Sequence, residues 1–142
     1  MKFQSENIVL EDKIISGEIA VENGNIIEIS SKRSEEESVI DLKDHYIFGG
    51  FIDIHTHGGD GVDANKADVE GYKTISNFFA TKGVTGYLTS ILTDTKEQTI
   101  WCIEEVVKAM ENNNGGAKLL GIHLEGPFLN PEYKGAMPEK LL

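Results

Sequence analysis

From Gly49 onward the chain alternates between short apolar runs and stretches of helical period, and no other feature constrains its fold as much. Phe51 to His57 reads as a strand. Asp68 to Lys82 reads as a helix with Val69, Tyr72, Ile75, Phe78 and Phe79 on one apolar stripe, and Gly83 stands where a helix stop is expected. Val84 to Leu92 is a second strand. Asp94 can cap the next helix, with Glu97 as its reciprocal partner. That helix runs to about Glu111, with Ile100, Ile103, Val106, Val107 and Met110 facing inward, and Asn112 to Gly116 ends it. Lys118 to Glu125 is a third strand. A loop rich in Gly and Pro follows, and Pro138 to Leu142 looks like the start of a further helix. Strands joined by helices must run parallel, with right-handed crossovers. Three parallel strands leave two open edges, whereas a closed barrel of this kind needs eight.

The residues before this region have a different pattern. Asn7 to Leu10, Glu18 to Val21, Ile26 to Ile29, Val39 to Leu42 and Tyr46 to Phe48 are short strand candidates. Asn23-Gly24 between two apolar runs predicts a hairpin with a type I′ turn, because both central residues need positive φ. The charged stretch from Ser30 to Ser38 predicts an exposed loop. The expected fold class is α/β: the first three β/α units of a TIM-like (β/α) barrel, over residues 48–142, preceded by part of a small β-sandwich domain over residues 1–47. The strands of 1–47 are too few to close a sandwich unaided.

Composition bounds the partners. A net charge of −11 over 142 residues disfavours nucleic acid and anionic membrane, which need a basic face. No apolar stretch approaches the length that crosses a bilayer, and the opening Met1-Lys2-Phe3-Gln4-Ser5-Glu6 lacks the apolar core of a signal peptide. The one cysteine, Cys102, lies within a helical pattern and is expected to be a packed thiol. Together these features suggest a cytoplasmic protein.

Chemistry concentrates in two segments. In Asp53-Ile54-His55-Thr56-His57, strand alternation puts Asp53, His55 and His57 on one face. Two imidazoles so placed can converge on one cation. Gly58-Gly59-Asp60-Gly61 follows and permits a sharp turn beside a ligand. Asp53 is either an orienting partner of a ligand or a buried hydrogen-bonding carboxylate. In Gly121-Ile122-His123-Leu124-Glu125-Gly126-Pro127-Phe128, Glu125 ends the third strand at the same rim as His55 and His57. A carboxylate there is the natural oxygen ligand of a mixed His/Glu site, the alternative being a pairing with Lys or Arg. His123, one strand period deeper, is expected to be a packed or hydrogen-bonded histidine.

Gly50-Phe51-Ile52-Asp53-Ile54-His55-Thr56-His57 resembles the opening strand of the amidohydrolase superfamily. His123-Leu124-Glu125-Gly126-Pro127-Phe128-Leu129, followed by Lys134-Gly135-Ala136, is more specific and looks like the N-acetylglucosamine-6-phosphate deacetylase family, whose members are more than twice as long. The resemblance implies deacetylation of N-acetylglucosamine 6-phosphate to glucosamine 6-phosphate and acetate. It implies a divalent metal, zinc or iron, as one or two ions, with Glu125 a ligand in every member and His55 and His57 ligands of a second ion. Ala136 matches a position whose backbone touches the sugar. Met137 falls where some members carry a substrate-contacting histidine, and Gly49 stands where proline is frequent. Two more histidine ligands, the catalytic aspartate and the phosphate-binding residues lie beyond Leu142 in the family, so no catalytic residue is assigned here. The expected partner is an amino-sugar phosphate, and the expected assembly is a homodimer. The alternatives are another amidohydrolase acting on a cyclic amide or amino-purine, and a non-catalytic fragment that buries its open edges by self-association.

Overall fold

A computed structural model describes residues 1–36, 38–112 and 115–142. Glu37, in the loop expected after Ser30, and Asn113 and Asn114, in the expected helix end, lie outside the described residues. The chain is a mixed α/β protein that divides into two compact units, Met1–Gly49 and Gly50–Leu142.

The first unit is one five-stranded sheet built from β1 (Lys2–Val9), β2 (Ile14–Glu22), β3 (Asn25–Ser30), β4 (Val39–Asp41) and β5 (Tyr46–Ile47). β1 pairs antiparallel with β2 and parallel with both β4 and β5. The β2–β3 turn has Asn23 at φ 49° and Gly24 at φ 77°, as a type I′ hairpin requires. The first strand begins at Lys2 rather than Asn7. Hydropathy misses its first half because Gln4 and Ser5, both polar, are buried. Ser5 is satisfied there: its hydroxyl bonds the carbonyls of Lys43 and His45 and accepts from the Asn7 amide.

The second unit contains a three-stranded parallel sheet, ordered β10-β9-β6, from β6 (Phe51–Thr56), β9 (Val84–Leu92) and β10 (Lys118–Glu125). A two-stranded hairpin, β7 (Gly58–Gly59) and β8 (Val62–Asp63), leaves the end of β6, and a 3-10 turn, Ala64–Lys66, follows it. Helix α1 (Val69–Ala80) joins β6 to β9, and α2 (Lys96–Glu111) joins β9 to β10. Asp68 caps α1 by accepting the Gly71 amide at 2.9 Å, placing a carboxylate at the positive end of the helix. Gly83, at φ 78°, ends the turn after it.

Two expectations about α2 need correction. Its cap is Thr95, whose hydroxyl accepts the Gln98 amide, while Asp94 accepts the Thr95 amide one residue earlier. Its inward face is Cys102, Glu105, Val106 and Ala109, whereas Ile100, Val107 and Met110 are exposed. The buried stripe mixes the small Cys102 and Ala109 with Val106 and the paired Glu105. Of the apolar residues expected to face inward, Val106 is buried and Ile103 half-buried, and the other three are exposed. Glu105 tolerates burial because the Lys108 ammonium reaches it at 2.7 Å. At the far end, Pro138 to Leu142 forms a 3-10 turn, Glu139–Leu141.

The core joins Tyr72, Ile75 and Phe79 of α1 to Val106 and Ala109 of α2 and to Tyr87 and Leu119 of the sheet. Each buried phenol finds an acceptor or donor: Tyr72 donates to the Ala64 carbonyl at 3.0 Å, and Tyr87 bonds the Ser76 hydroxyl at 3.0 Å. Burial pushes both phenols above their ordinary value of 10.0, and raises the Cys102 thiol above 9.0. All three are neutral in the fold and ionise more readily when unfolded. Their contribution is therefore intact below pH 9 and is lost as pH rises through 9 to 10 toward the raised folded values. Melting temperatures between about pH 8 and pH 11 should fall accordingly, and Tyr72→Phe should flatten the upper part of the fall. A melting temperature constant over that range would contradict this packing.

Candidate metal centre

His55 sits near the end of β6, and His57 lies just past it, since β6 stops at Thr56 and not at His57. The pairing of β6 with β9 becomes irregular between Asp53 and Thr56. Thr56 then closes a tight turn, its hydroxyl donating to the Gly58 carbonyl at 3.1 Å. The expected common face nevertheless holds for the two rings. His55 Nε2 lies 3.0 Å and His57 Nε2 3.1 Å from the same atom, Glu125 Oε2. Glu125 ends β10, two strands away, opposite Leu92 of β9. All three side chains are partly exposed.

Among the described residues, His55, His57 and Glu125 form a group whose ligand atoms all lie within 4.8 Å of one another. The donor set fits a divalent ion on chemical grounds. His55 Nε2 hydrogen-bonds Glu125 Oε2 and His57 Nε2 lies beside the same oxygen, so with neither Nε2 carrying a proton the three atoms offer lone pairs to one cation. Imidazole and carboxylate together accept zinc, iron and other first-row ions.

Asp53, His123, Ala136 and Met137 lie outside this group. The Asp53 carboxylate accepts the backbone amide of His55 at 3.0 Å. It thus satisfies the chain where the strand pairing slips, and holds the backbone that carries the ring rather than the ring itself. His123 bonds the buried Ser90 hydroxyl through Nδ1 at 3.0 Å, and its ring packs on that of His55 at 4.6 Å between centroids. Ala136 is exposed and Met137 is buried. Lys134 closes their turn, its ammonium donating to the Met137 carbonyl at 2.9 Å. Cys102 is the packed thiol expected, donating to the Asn65 carbonyl.

Sequence reasoning did not single out Asn65 or Thr93. Asn65 is buried, its amide pairing both backbone groups of Leu92, and the Thr93 hydroxyl donates to the Glu125 carbonyl at 2.7 Å. Both are common polar residues in loop-like stretches, and only tertiary structure distinguishes them.

Over 140 residues the chain is 34% identical to the N-acetylglucosamine-6-phosphate deacetylase of Bacillus subtilis, a match covering 94% of this chain and 35% of that protein. The chain corresponds to the N-terminal third of N-acetylglucosamine-6-phosphate deacetylases. A crystal structure of the deacetylase from Thermotoga maritima agrees, with a TM-score of 0.81 and 27% identity over 99% of this chain and 36% of that one. The deacetylase of Mycobacterium smegmatis, solved as a mutant in complex with N-acetyl-D-glucosamine-6-phosphate, shares the fold with a TM-score of 0.87 at 20% identity, over 99% of this chain and 36% of that one. No family model matches the chain. Among the described residues no helix is long and apolar enough to cross a membrane. The amidohydrolase resemblance of the segment Gly50–His57 and the deacetylase resemblance of the segment His123–Leu129 thus agree with the deacetylase relatives, over a span of about one third of their length.

Proposed function

We propose that the chain carries the first metal-binding part of a deacetylase that converts N-acetylglucosamine 6-phosphate to glucosamine 6-phosphate and acetate. The observation that carries this reading is the convergence of His55, His57 and Glu125 on one point, in a chain matching deacetylases along nearly its whole length. Residues 48–142 would be the opening units of a (β/α) barrel, whose parallel strands and intervening helices are laid down in that order. Residues 1–47 would be one layer of a β-sandwich, which agrees with the exposed Ile26, Ile27 and Ile29 of β3.

His55, His57 and Glu125 would hold a divalent ion, zinc or iron, as one or two ions. When bound, it supplies a Lewis acid that polarises an amide carbonyl and lowers the pKa of water. Glu125 and the two histidines fix its position, and Asp53 steadies the strand under His55. The turn at Ala136 and Met137 would line the sugar, with the buried Met137 unable to offer a histidine's hydrogen bonds. Proton transfer to the leaving amine needs an acid or base not found in this group. A cytoplasmic homodimer remains the expected setting.

Acetate release from N-acetylglucosamine 6-phosphate is the assay. The zinc-loaded 142-residue chain should release none above buffer. A chimera carrying this chain in place of the matching segment of the Bacillus subtilis enzyme should be active, and Glu125→Ala should silence it. Turnover by the chain alone would contradict the placement of proton transfer elsewhere. A folded, metal-loaded chimera that hydrolyses other amides but not this one would overturn the substrate.

A further inference from the structure

The three candidate ligands sit at the ends of two strands that do not touch, with β9 between them. β9 must therefore set the distance from His57 to Glu125. Its pairing with β6 ends at Thr56 and Thr89, so Ser90 to Leu92 have lost that neighbour. The side chain of Asn65 takes its place. The Leu92 amide donates to Asn65 Oδ1 at 2.8 Å, and Asn65 Nδ2 donates to the Leu92 carbonyl at 3.1 Å. One amide thus completes both backbone groups of a residue, as a paired strand would.

The same turn is tied to each ligand-bearing end. The Ala64 amide donates to the His57 carbonyl at 2.9 Å. Leu92 lies opposite Glu125, and the next residue, Thr93, donates its hydroxyl to the Glu125 carbonyl at 2.7 Å. Asn65 is itself held from α2, its carbonyl accepting Gln98 Nε2 at 2.7 Å. Asn65, Thr93 and Ala64 are all buried. A buried amide with every polar atom matched to particular backbone groups is specified by position, since burying it unpaired is costly.

We propose that Asn65 and Thr93 are positioning residues, a brace along the rim that fixes the span between the two histidines and Glu125. The proposal rests on the metal reading above. Partners behind a ligand typically change metal affinity by roughly 10–100-fold when removed.

The test is a zinc competition titration against a chromophoric chelator, with folding followed by circular dichroism. Wild type, Asn65→Ala, Thr93→Val, Thr93→Ser and the core variant Ile75→Val are compared. Asn65→Ala and Thr93→Val should lose roughly 10–100-fold in zinc affinity. Thr93→Ser, which keeps the hydroxyl, should retain it, and Ile75→Val should lose thermal stability while binding zinc normally. Equal affinity in wild type, Asn65→Ala and Thr93→Val overturns the brace and leaves the metal reading standing. So does a loss in Ile75→Val that follows its loss of stability. No binding by wild type overturns the metal reading, and the brace with it. Should Asn65→Ala not fold, the contrast between Thr93→Val and Thr93→Ser decides.

Discussion

Glu125→Ala should abolish tight binding of a divalent cation and leave the fold standing. The carboxylate is partly exposed, so its removal strands no buried charge, and its backbone hydrogen bond from Thr93 does not involve the side chain. What remains is a pair of imidazoles carried on β6 and the turn after it, their centroids 5.2 Å apart, with nothing from β10 to complete the chelate. Loss of a partner standing behind a ligand already costs roughly 10–100-fold in affinity, so loss of a direct ligand should exceed about 100-fold. Thermal melting reads the same effect. An ion at about 100 times its Kd adds about 2.7 kcal/mol to wild-type stability. Zinc should therefore raise the melting temperature of wild type and not that of Glu125→Ala. Equal shifts in both would contradict the assignment of Glu125.

Gly58→Ala should be strongly destabilising. Gly58 follows His57 directly and has φ 126°, a conformation that L side chains rarely adopt. A Cβ built there lies 2.0 Å from the Val62 carbonyl oxygen, which belongs to the opposing strand β8. The backbone strain alone costs about 1–3 kcal/mol, and the collision adds to it. That is a large part of the roughly 5–15 kcal/mol that holds a domain together. Relief requires moving either β8 or His57. Chemical denaturation should show the loss, and the zinc titration should show weakened binding in whatever fraction still folds. An unchanged denaturation midpoint would contradict the turn geometry after β6.

Local rules made much of the candidate site legible. Alternation along one strand put His55 and His57 on a common face, and parallel topology placed Glu125 at the same rim. Both inferences need only the two-residue period of a strand and the direction of a crossover. The Asn23-Gly24 hairpin was equally legible, because a type I′ turn demands positive φ at both residues. Features that depend on tertiary pairing were not. The buried face of α2 takes in Cys102, Glu105 and Ala109, which a count of large apolar side chains does not sense. The start of β1 was hidden because Ser5 and Gln4 are buried polar residues, and the carbonyls that satisfy Ser5 come from nearly forty residues away. Alternation puts Asp53 on the histidine face, but its carboxylate accepts the His55 backbone amide where the strand pairing slips, which no period in the sequence reveals. Asn65 carries no sequence signal at all, since its role exists only where β9 has outrun β6.

Zinc K-edge absorption of the metal-loaded chain tests the central claim most directly. Coordination by His55, His57 and Glu125 predicts a first shell of nitrogen and oxygen at about 2.0–2.1 Å with the outer-shell scattering of two imidazole rings and no sulfur. A sulfur shell at about 2.3 Å, which only Cys102 or a methionine could supply, or the spectrum of a hydrated ion without imidazole, would contradict it.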